Sequence, residues 1–502
     1  MENSKYIFYT FFFFIAISVN AQKYDNIWIL GYGGIQTTDT TIRMSCLRFN
    51  PIRSIDTILG GYSMYFTNTS ISDPSTGDLQ FYTNGISIRD KTHQIMQSGD
   101  SINYGTNTWI NTRAGGYRAL QGVLALPFPN HPNQYYLFHQ RMKSGVTFFN
   151  NVPIDFLYSK IDLSLNNGKG KVIQKNQVLL SDTLSSFVTA CQHGNGRDWW
   201  IIQQDIHTHK FYFYLLSPLG IQLHHTQTMG NANYQTRGNV SGYFSPNGKK
   251  FAVFNQEAGV YIYDFDRCNG LLNSNTLIPF NYTISPGLAF VNIQFSPNSE
   301  LLYFSNLYNL TQYNLTVSNI PASADTVATY DSFVEGNAQT NFLTMQLAPD
   351  NKIYINSLGA NSYLHVIDSP DMLGTGCNVL QHSIRLKGYN NSIPNFPNYR
   401  LDALSGSACD TLNVATEQAI EHRQIKVFPN PTNDILNIEI SENIKGKCYL
   451  YNTVGQVIQE TNISTPQIQI STHNFANGIY FLSVVDANGR LVGRKRVVVQ
   501  HE

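Results

Sequence analysis

Apolar residues in this chain come in short runs, each entered through a turn. Ser245-Pro246-Asn247-Gly248-Lys249-Lys250 leads into Phe251-Ala252-Val253-Phe254, Ser296-Pro297-Asn298-Ser299-Glu300 into Leu301-Leu302-Tyr303-Phe304, and Ala348-Pro349-Asp350-Asn351-Lys352 into Ile353-Tyr354-Ile355. Proline fixes φ for the turn, Asn or Asp tolerates its far side, and the run that follows reads as a buried strand. The onsets at Phe251, Leu301 and Ile353 are spaced 50 and 52 residues apart. Counting backward adds Trp199, Tyr135, Leu79 and Trp28, and the intervals from Trp28 onward are 51, 56, 64, 52, 50 and 52 residues. A period near fifty, with strands such as Phe211 to Leu216 apolar on both faces, is the pattern of small sheets stacked face to face around an axis.

Seven onsets predict an all-β, seven-bladed β-propeller of the WD40/YVTN-like kind over residues 22–405. A string of separate sandwiches would not require so even a period. The strand near Trp28 is expected to close the ring by completing a blade whose other strands come from residues 375–405. Residues 406–424 lack strand alternation and read as a linker. From Ile425 the chain alternates again in short segments separated by Pro-Asn-Pro, Asn-Thr-Val-Gly and Ala-Asn-Gly turns, so residues 425–502 predict a small Ig-like antiparallel β-sandwich.

Composition narrows the function classes. The 502 residues are 42% hydrophobic, which excludes disorder for most of the chain. Thirty-three basic residues balance thirty-three acidic ones and the charged fraction is 13%, so nothing favours a phosphate backbone as a partner. At the amino terminus Lys5 precedes an apolar run from Tyr6 to Val19, and Val19-Asn20-Ala21 has the small-residue spacing of signal peptidase sites. Residues 1–21 therefore read as a signal peptide, with cleavage after Ala21. As a helix the run reaches only about 21 Å, short of a roughly 30 Å hydrocarbon core, and no later stretch predicts a transmembrane segment. Cys46, Cys191, Cys268, Cys377, Cys409 and Cys448 are too sparse to be the framework of the fold, and either disulfides or buried thiols fit them.

Candidate chemistry is thin. His207 and His209 lie at i and i+2 with Asp205 on the same parity, a partial metal set weighed against a plain polar loop. Asp264 and Asp266 are paired carboxylates that also fit a strand exit before an Asn-Gly turn. Trp199 and Trp200 suit a sugar platform or, in a propeller, the cores on either side of one sheet. Trp109 beside Arg113 lies in a polar stretch and reads as the exposed aromatic. Ser241 in GNVSG lacks the nucleophile-elbow spacing, and Gly31 to Gly34 lack a phosphate-loop register. No cofactor is called.

The run Gly77 to Gly99, with Leu157 to Val172, Thr189 to Ile202 and YFSPNGKKFAV, resembles the amino-terminal propeller of Bacteroidetes surface proteins associated with gliding motility. Residues 425–502 resemble the type A carboxyl-terminal sorting domain of type IX secretion cargo. The matching positions are Pro429, Asn430, Pro431 and Leu436, the Tyr451 to Gly455 turn, Gly478 and Tyr480, and the closing strand with Lys495 and Val497. This resemblance implies the type IX export machinery as partner and the outer surface or the medium as destination. Asp39, Asp56, Asp100, Asp182, Asp325 and Asp410 each begin a triplet similar to the O-glycosylation sequon of exported Bacteroidetes proteins. The expected role is binding of a surface glycan or protein. The alternatives are a secreted hydrolase with carboxylates converging on the channel, and a structural component of surface fibres.

Overall fold

A computed structural model of the chain describes residues 22–32, 43–49, 53–60, 62–104, 115–143, 152–230, 241–255, 258–279, 292–410, 425–440, 445–452, 456–486 and 491–501. The expected signal peptide, Trp109, Arg113, Asp39 and Gly455 lie outside them. The chain divides into two compact units, Met1–Cys409 and Asp410–Glu502.

Among the described residues the first unit holds no α-helix and contains seven antiparallel sheets of three or four consecutive strands, spanning 27–59, 69–90, 123–181, 189–228, 242–279, 292–329 and 345–390. First strands of successive sheets lie side by side from the first sheet to the third and from the fourth to the seventh, Val188 N donates to the Gln121 carbonyl at 2.8 Å between the third and fourth, and the circuit closes where the seventh sheet meets the first. There Lys387 N donates to Ser45 Oγ at 2.8 Å and Tyr32 N to the Tyr389 carbonyl at 2.7 Å. This is a propeller. Its inner strands are buried on both faces, as in Ile27–Leu30, Thr69–Ser72 and Trp199–Gln204, because every sheet has a neighbour on either side. The outermost strands, such as Gly220–Thr228, are largely exposed. Trp199 and Trp200 show the arrangement in one step: each is 1% exposed, and they enter different cores on opposite faces of the fourth sheet.

The repeat has a structural meaning. Leu79, Tyr135, Trp199, Phe251, Leu301 and Ile353 all fall in the second strand of successive sheets, second to seventh. Trp28 is out of phase, in the first strand of its sheet. The expected closure is also corrected. Ile27–Leu30 pairs with Arg43–Phe49, Ile27 opposite Arg48, and the seventh sheet supplies its own four strands within 345–390. No strand is left for the amino terminus to complete.

Residues 391–400, expected to contribute strands, instead run along the axis. Asn395 N donates to the Asn68 carbonyl at 2.9 Å, and Asn395 Nδ2 donates to the Val123 and Val188 carbonyls at 2.8 and 2.9 Å. Thr69 Oγ1 donates to the Asn395 carbonyl at 3.0 Å, so one residue ties together the second, third and fourth sheets. Asn398 Nδ2 reaches the Pro246 carbonyl at 2.7 Å, the Tyr399 hydroxyl reaches the Ala125 carbonyl at 2.6 Å, and Phe396 packs against Trp28. Inner strands present backbone groups with no further strand to pair them, and the amides of this segment fill that role. Beyond it Leu404 N donates to the Gly194 carbonyl at 2.8 Å, and a disulfide joins Cys409 to Cys268. Cys46, Cys191, Cys377 and Cys448 are buried free thiols, with burial pushing the Cys46 thiol up to about 11 and the Cys191 and Cys448 thiols up to about 12.

In the second unit, Ile425–Phe428, Ile435–Ile440 and Gln467–Ser471 form one antiparallel sheet. Gly446–Tyr451, Val457–Ile463, Gly478–Asp486 and Leu491–Val499 form another. Both contribute to one core that includes Leu436, Ile438, Leu450, Leu482 and Val497.

Candidate functional site

Where the axial segment leaves the ring it meets the repeated turns. The turns between first and second strands of the fifth, sixth and seventh sheets border a cavity of about 340 Å³, floored by Phe396 and Asn398. Two of these turns carry the same network, which explains the sequence repeat. Ser245 Oγ donates to Asn247 Oδ1 at 2.8 Å and accepts Lys250 N at 2.9 Å, while Ser296 Oγ donates to Asn298 Oδ1 at 2.6 Å and accepts Leu301 N at 2.9 Å. In the seventh sheet Ala348 lacks the hydroxyl. There Asp350 Oδ2 accepts the Tyr354 hydroxyl at 2.7 Å.

Among the described residues the charges at this mouth are Asp25 and Arg400, and they belong to each other. Arg400 Nη1 donates to Asp25 Oδ2 at 2.8 Å, with a second contact from Nη2 to Oδ1 and the Asp25 side chain 6% exposed. Beside them Tyr399 is fully buried and its phenol is pushed well above its ordinary range, chiefly by burial. A second cavity of about 620 Å³ is bordered by the corresponding turns of the second, third and fourth sheets, with Asp73, His131 and Arg197 among its lining.

Trp199 lines the second cavity, whereas Asp205, His207, His209, Asp264, Asp266 and Ser241 line neither. Asp205 Oδ1 accepts His207 N at 2.6 Å and Thr208 N at 2.8 Å, closing its own turn, and His209 is buried while His207 is exposed. Among the described residues no three His, Cys, Asp or Glu side chains are grouped to hold a metal. Asp264 takes Lys250 Nζ at 2.8 Å and Ser274 Oγ at 2.6 Å, and those hydrogen bonds hold its carboxyl below the usual range. Asp266 takes Cys268 N at 2.8 Å and Asn269 Nδ2 at 2.7 Å, shaping the turn that presents Cys268 to Cys409. Ser241 is buried. Of the glycosylation-like triplets, Thr57 and Thr326 are exposed on outer strands.

The axial segment and the Asp25–Arg400 pair escaped sequence reading. The available signal was NSIPNFPNYR itself, a stretch rich in Asn, Pro and aromatics without strand alternation.

In the second unit the motif residues split into two roles. Leu436, Tyr480 and Val497 are core residues, and the Tyr480 hydroxyl donates to the Ala476 carbonyl at 2.9 Å. Pro429, Asn430 and Pro431 lie on the closing strand: Asn430 Nδ2 donates to the Arg496 carbonyl at 2.8 Å and Val498 N donates to Asn430 Oδ1 at 2.7 Å. Both proline peptide bonds of this motif are cis. Gly478 starts the strand that pairs with the closing one, and Lys495 lies on that closing strand opposite Leu482.

Residues 426–500 match the family of secretion system C-terminal sorting domains. The chain therefore carries the address of type IX secretion cargo, exported to the cell surface or beyond. No curated protein matches it. Among solved structures, it is similar to a candidate 6-phosphogluconolactonase from Bacteroides uniformis, at 11% identity over 73% of this chain and 98% of that one, with a TM-score of 0.43. It is similar also to PorZ, a surface component of the type IX secretion system of Porphyromonas gingivalis, at 12% identity over 92% and 64% of the two chains, with a TM-score of 0.33. A third is the β-propeller domain of Cps50 (Swd1) from Myceliophteria thermophila, at 10% identity over 75% and 95%, with a TM-score of 0.30. Likenesses this loose describe shape in outline, and the propeller reading stands on the strand pairings. Among the described residues no helix is long and apolar enough to cross a membrane.

Proposed function

We propose that this is an exported surface protein whose seven-bladed propeller binds a ligand without transforming it, delivered by an Ig-like sorting domain. A signal peptide over residues 1–21 takes the chain across the inner membrane, and the type IX machinery reads residues 425–502. The observation that carries the binding reading is the filled axis. A glycoside hydrolase on this ring would need a pair of carboxylates converging on the channel to flank the scissile bond. Here the axis is occupied by Asn391 to Arg400, with the Asn395 and Asn398 amides spent on backbone carbonyls, and the carboxylate at its mouth, Asp25, is tied to Arg400. The carboxylates singled out in the sequence, Asp205 and Asp264, hold turns and strand pairs. The purified protein should retain ligand from a glycan and peptide panel and release no product from it. Turnover that disappears in Asp205→Ala or Asp264→Ala would establish the hydrolase instead.

A further inference from the structure

The cavity at the axial mouth differs in chemistry from its larger neighbour, and the difference bears on what it holds. At about 340 Å³ it falls in the size range of small-molecule sites, roughly 300–1,000 Å³. Among the described residues its lining holds one carboxylate and one guanidinium, and these neutralise each other, so they leave a charged ligand no unspent counter-ion. The rest of its polar lining is dominated by primary amides: Asn247, Gln294, Asn298, Gln346, Asn351 and Asn398. Asn247, Asn298, Gln346 and Asn398 spend part of their amides on the turns and the axial segment, and an amide end left over, donor or acceptor, pairs with a hydroxyl group.

Gln294 is the most informative of the six. It is 3% exposed, its Oε1 accepts Phe295 N at 3.0 Å, and among the described residues its Nε2 donates to none. A donor held in place on one side and unspent on the other, facing a cavity, is poised for a ligand oxygen. Phe244, half-buried in the lining, supplies ring surface against which the C–H face of a sugar packs. The hydrogen-bonded turns and the axial segment hold these groups without ligand, which lowers the entropy cost of binding.

We propose that this cavity is a binding site for an uncharged saccharide, with the Gln294 amide donating to a sugar hydroxyl and Asn351 contributing from the rim. The assignment rests on the binding reading above. The second cavity, with Asp73, His131 and Arg197, lacks this neutral character.

The test is calorimetric titration of the mature full-length chain with maltotetraose, cellotetraose, laminaritetraose, xylotetraose and mannotetraose, with tetragalacturonate as the anionic control. At least one neutral tetrasaccharide is expected to bind. Gln294→Met, which keeps the side chain's length and loses the donor, should weaken it at least tenfold. Asn351→Gly should weaken it as well, and because Asn351 has φ of 59° a glycine there keeps the turn. His131→Ala, in the second cavity, should leave affinity unchanged. Unchanged affinity in both cavity variants, or no binding by any neutral sugar, overturns the proposal. Binding of tetragalacturonate alone overturns the ligand class and leaves the binding reading standing. Cleavage of a bound tetrasaccharide, by contrast, overturns the binding reading itself.

Discussion

Asn430 and Val498 stand 68 residues apart in sequence and share a hydrogen bond of 2.7 Å, the amide of Asn430 also holding the Arg496 carbonyl on the same strand. Thr432 adds two backbone bonds, donating to the Val498 carbonyl at 2.8 Å and accepting Gln500 N at 2.9 Å. The Pro-Asn-Pro motif and the closing strand, the two ends of the sorting domain, are one structural element.

Replacing Asn430 with Ala should therefore loosen the closing strand by about 1 kcal/mol per lost hydrogen bond. The expected outcome is faster proteolysis within residues 491–501 and a smaller surface fraction in the native host, with the melting of the ring unchanged. Quantified surface labelling beside a melting curve measures both.

Asn395 is the joint of the axial segment. Asn395→Ala leaves the Val123 and Val188 carbonyls without this donor in a buried site, at about 1–3 kcal/mol for each group left unpaired. A large drop in the denaturant midpoint of the ring is expected. A shift within a few tenths of a kcal/mol would mean that the segment does not hold the inner strands together.

The disulfide closes a separation of 141 residues and fixes the chain as it leaves the axis. Cys409→Ser should cost about 2–4 kcal/mol. It should also raise hydrogen exchange at Leu404, whose amide donates to Gly194. Equal stability with and without reductant in the wild-type protein would contradict this.

His139 is fully buried between Asn103 and Ser159, and burial pushes its imidazole down to about 3. In the unfolded chain a histidine takes up its proton near pH 6.5. Between these values the unfolded state binds more protons, so stability is fully present above about pH 6.5 and is lost as pH falls toward 3. His365, pushed down to about 4 by burial, acts in the same direction. Unfolding free energies at pH 7 and pH 5 should differ by about 2 kcal/mol less in His139→Gln than in the wild type. The aspartates held below their ordinary range, such as Asp264 and Asp368, act only in stronger acid.

The ring was legible in the sequence wherever a local device repeats. The Ser-Pro-Asn turn builds the same three-residue network twice, so its spacing reports the sheets directly, and Leu301 and Ile353 begin their strands at the expected residues. Trp28 resembles these onsets because it is apolar and near the right interval, while its phase depends on pairing with Arg43–Phe49. The axial segment was illegible because its partners are backbone carbonyls far away in the chain, which leave no pattern in side-chain type. The Asp25–Arg400 pair, 375 residues apart, is hidden for the same reason. Trp199 and Trp200 were legible as core residues, since adjacent positions on a strand face opposite sides.

The ring folds as its own unit, and the sorting domain is a separate address. A chain ending at Gln424 keeps the whole unit that closes at Cys409 and lacks the sorting domain. Cell fractionation with surface proteolysis in the native host should find this truncated chain folded, protease-resistant and confined to the periplasm, while the full chain reaches the surface. The truncated ring arriving at the surface in normal amount would contradict it.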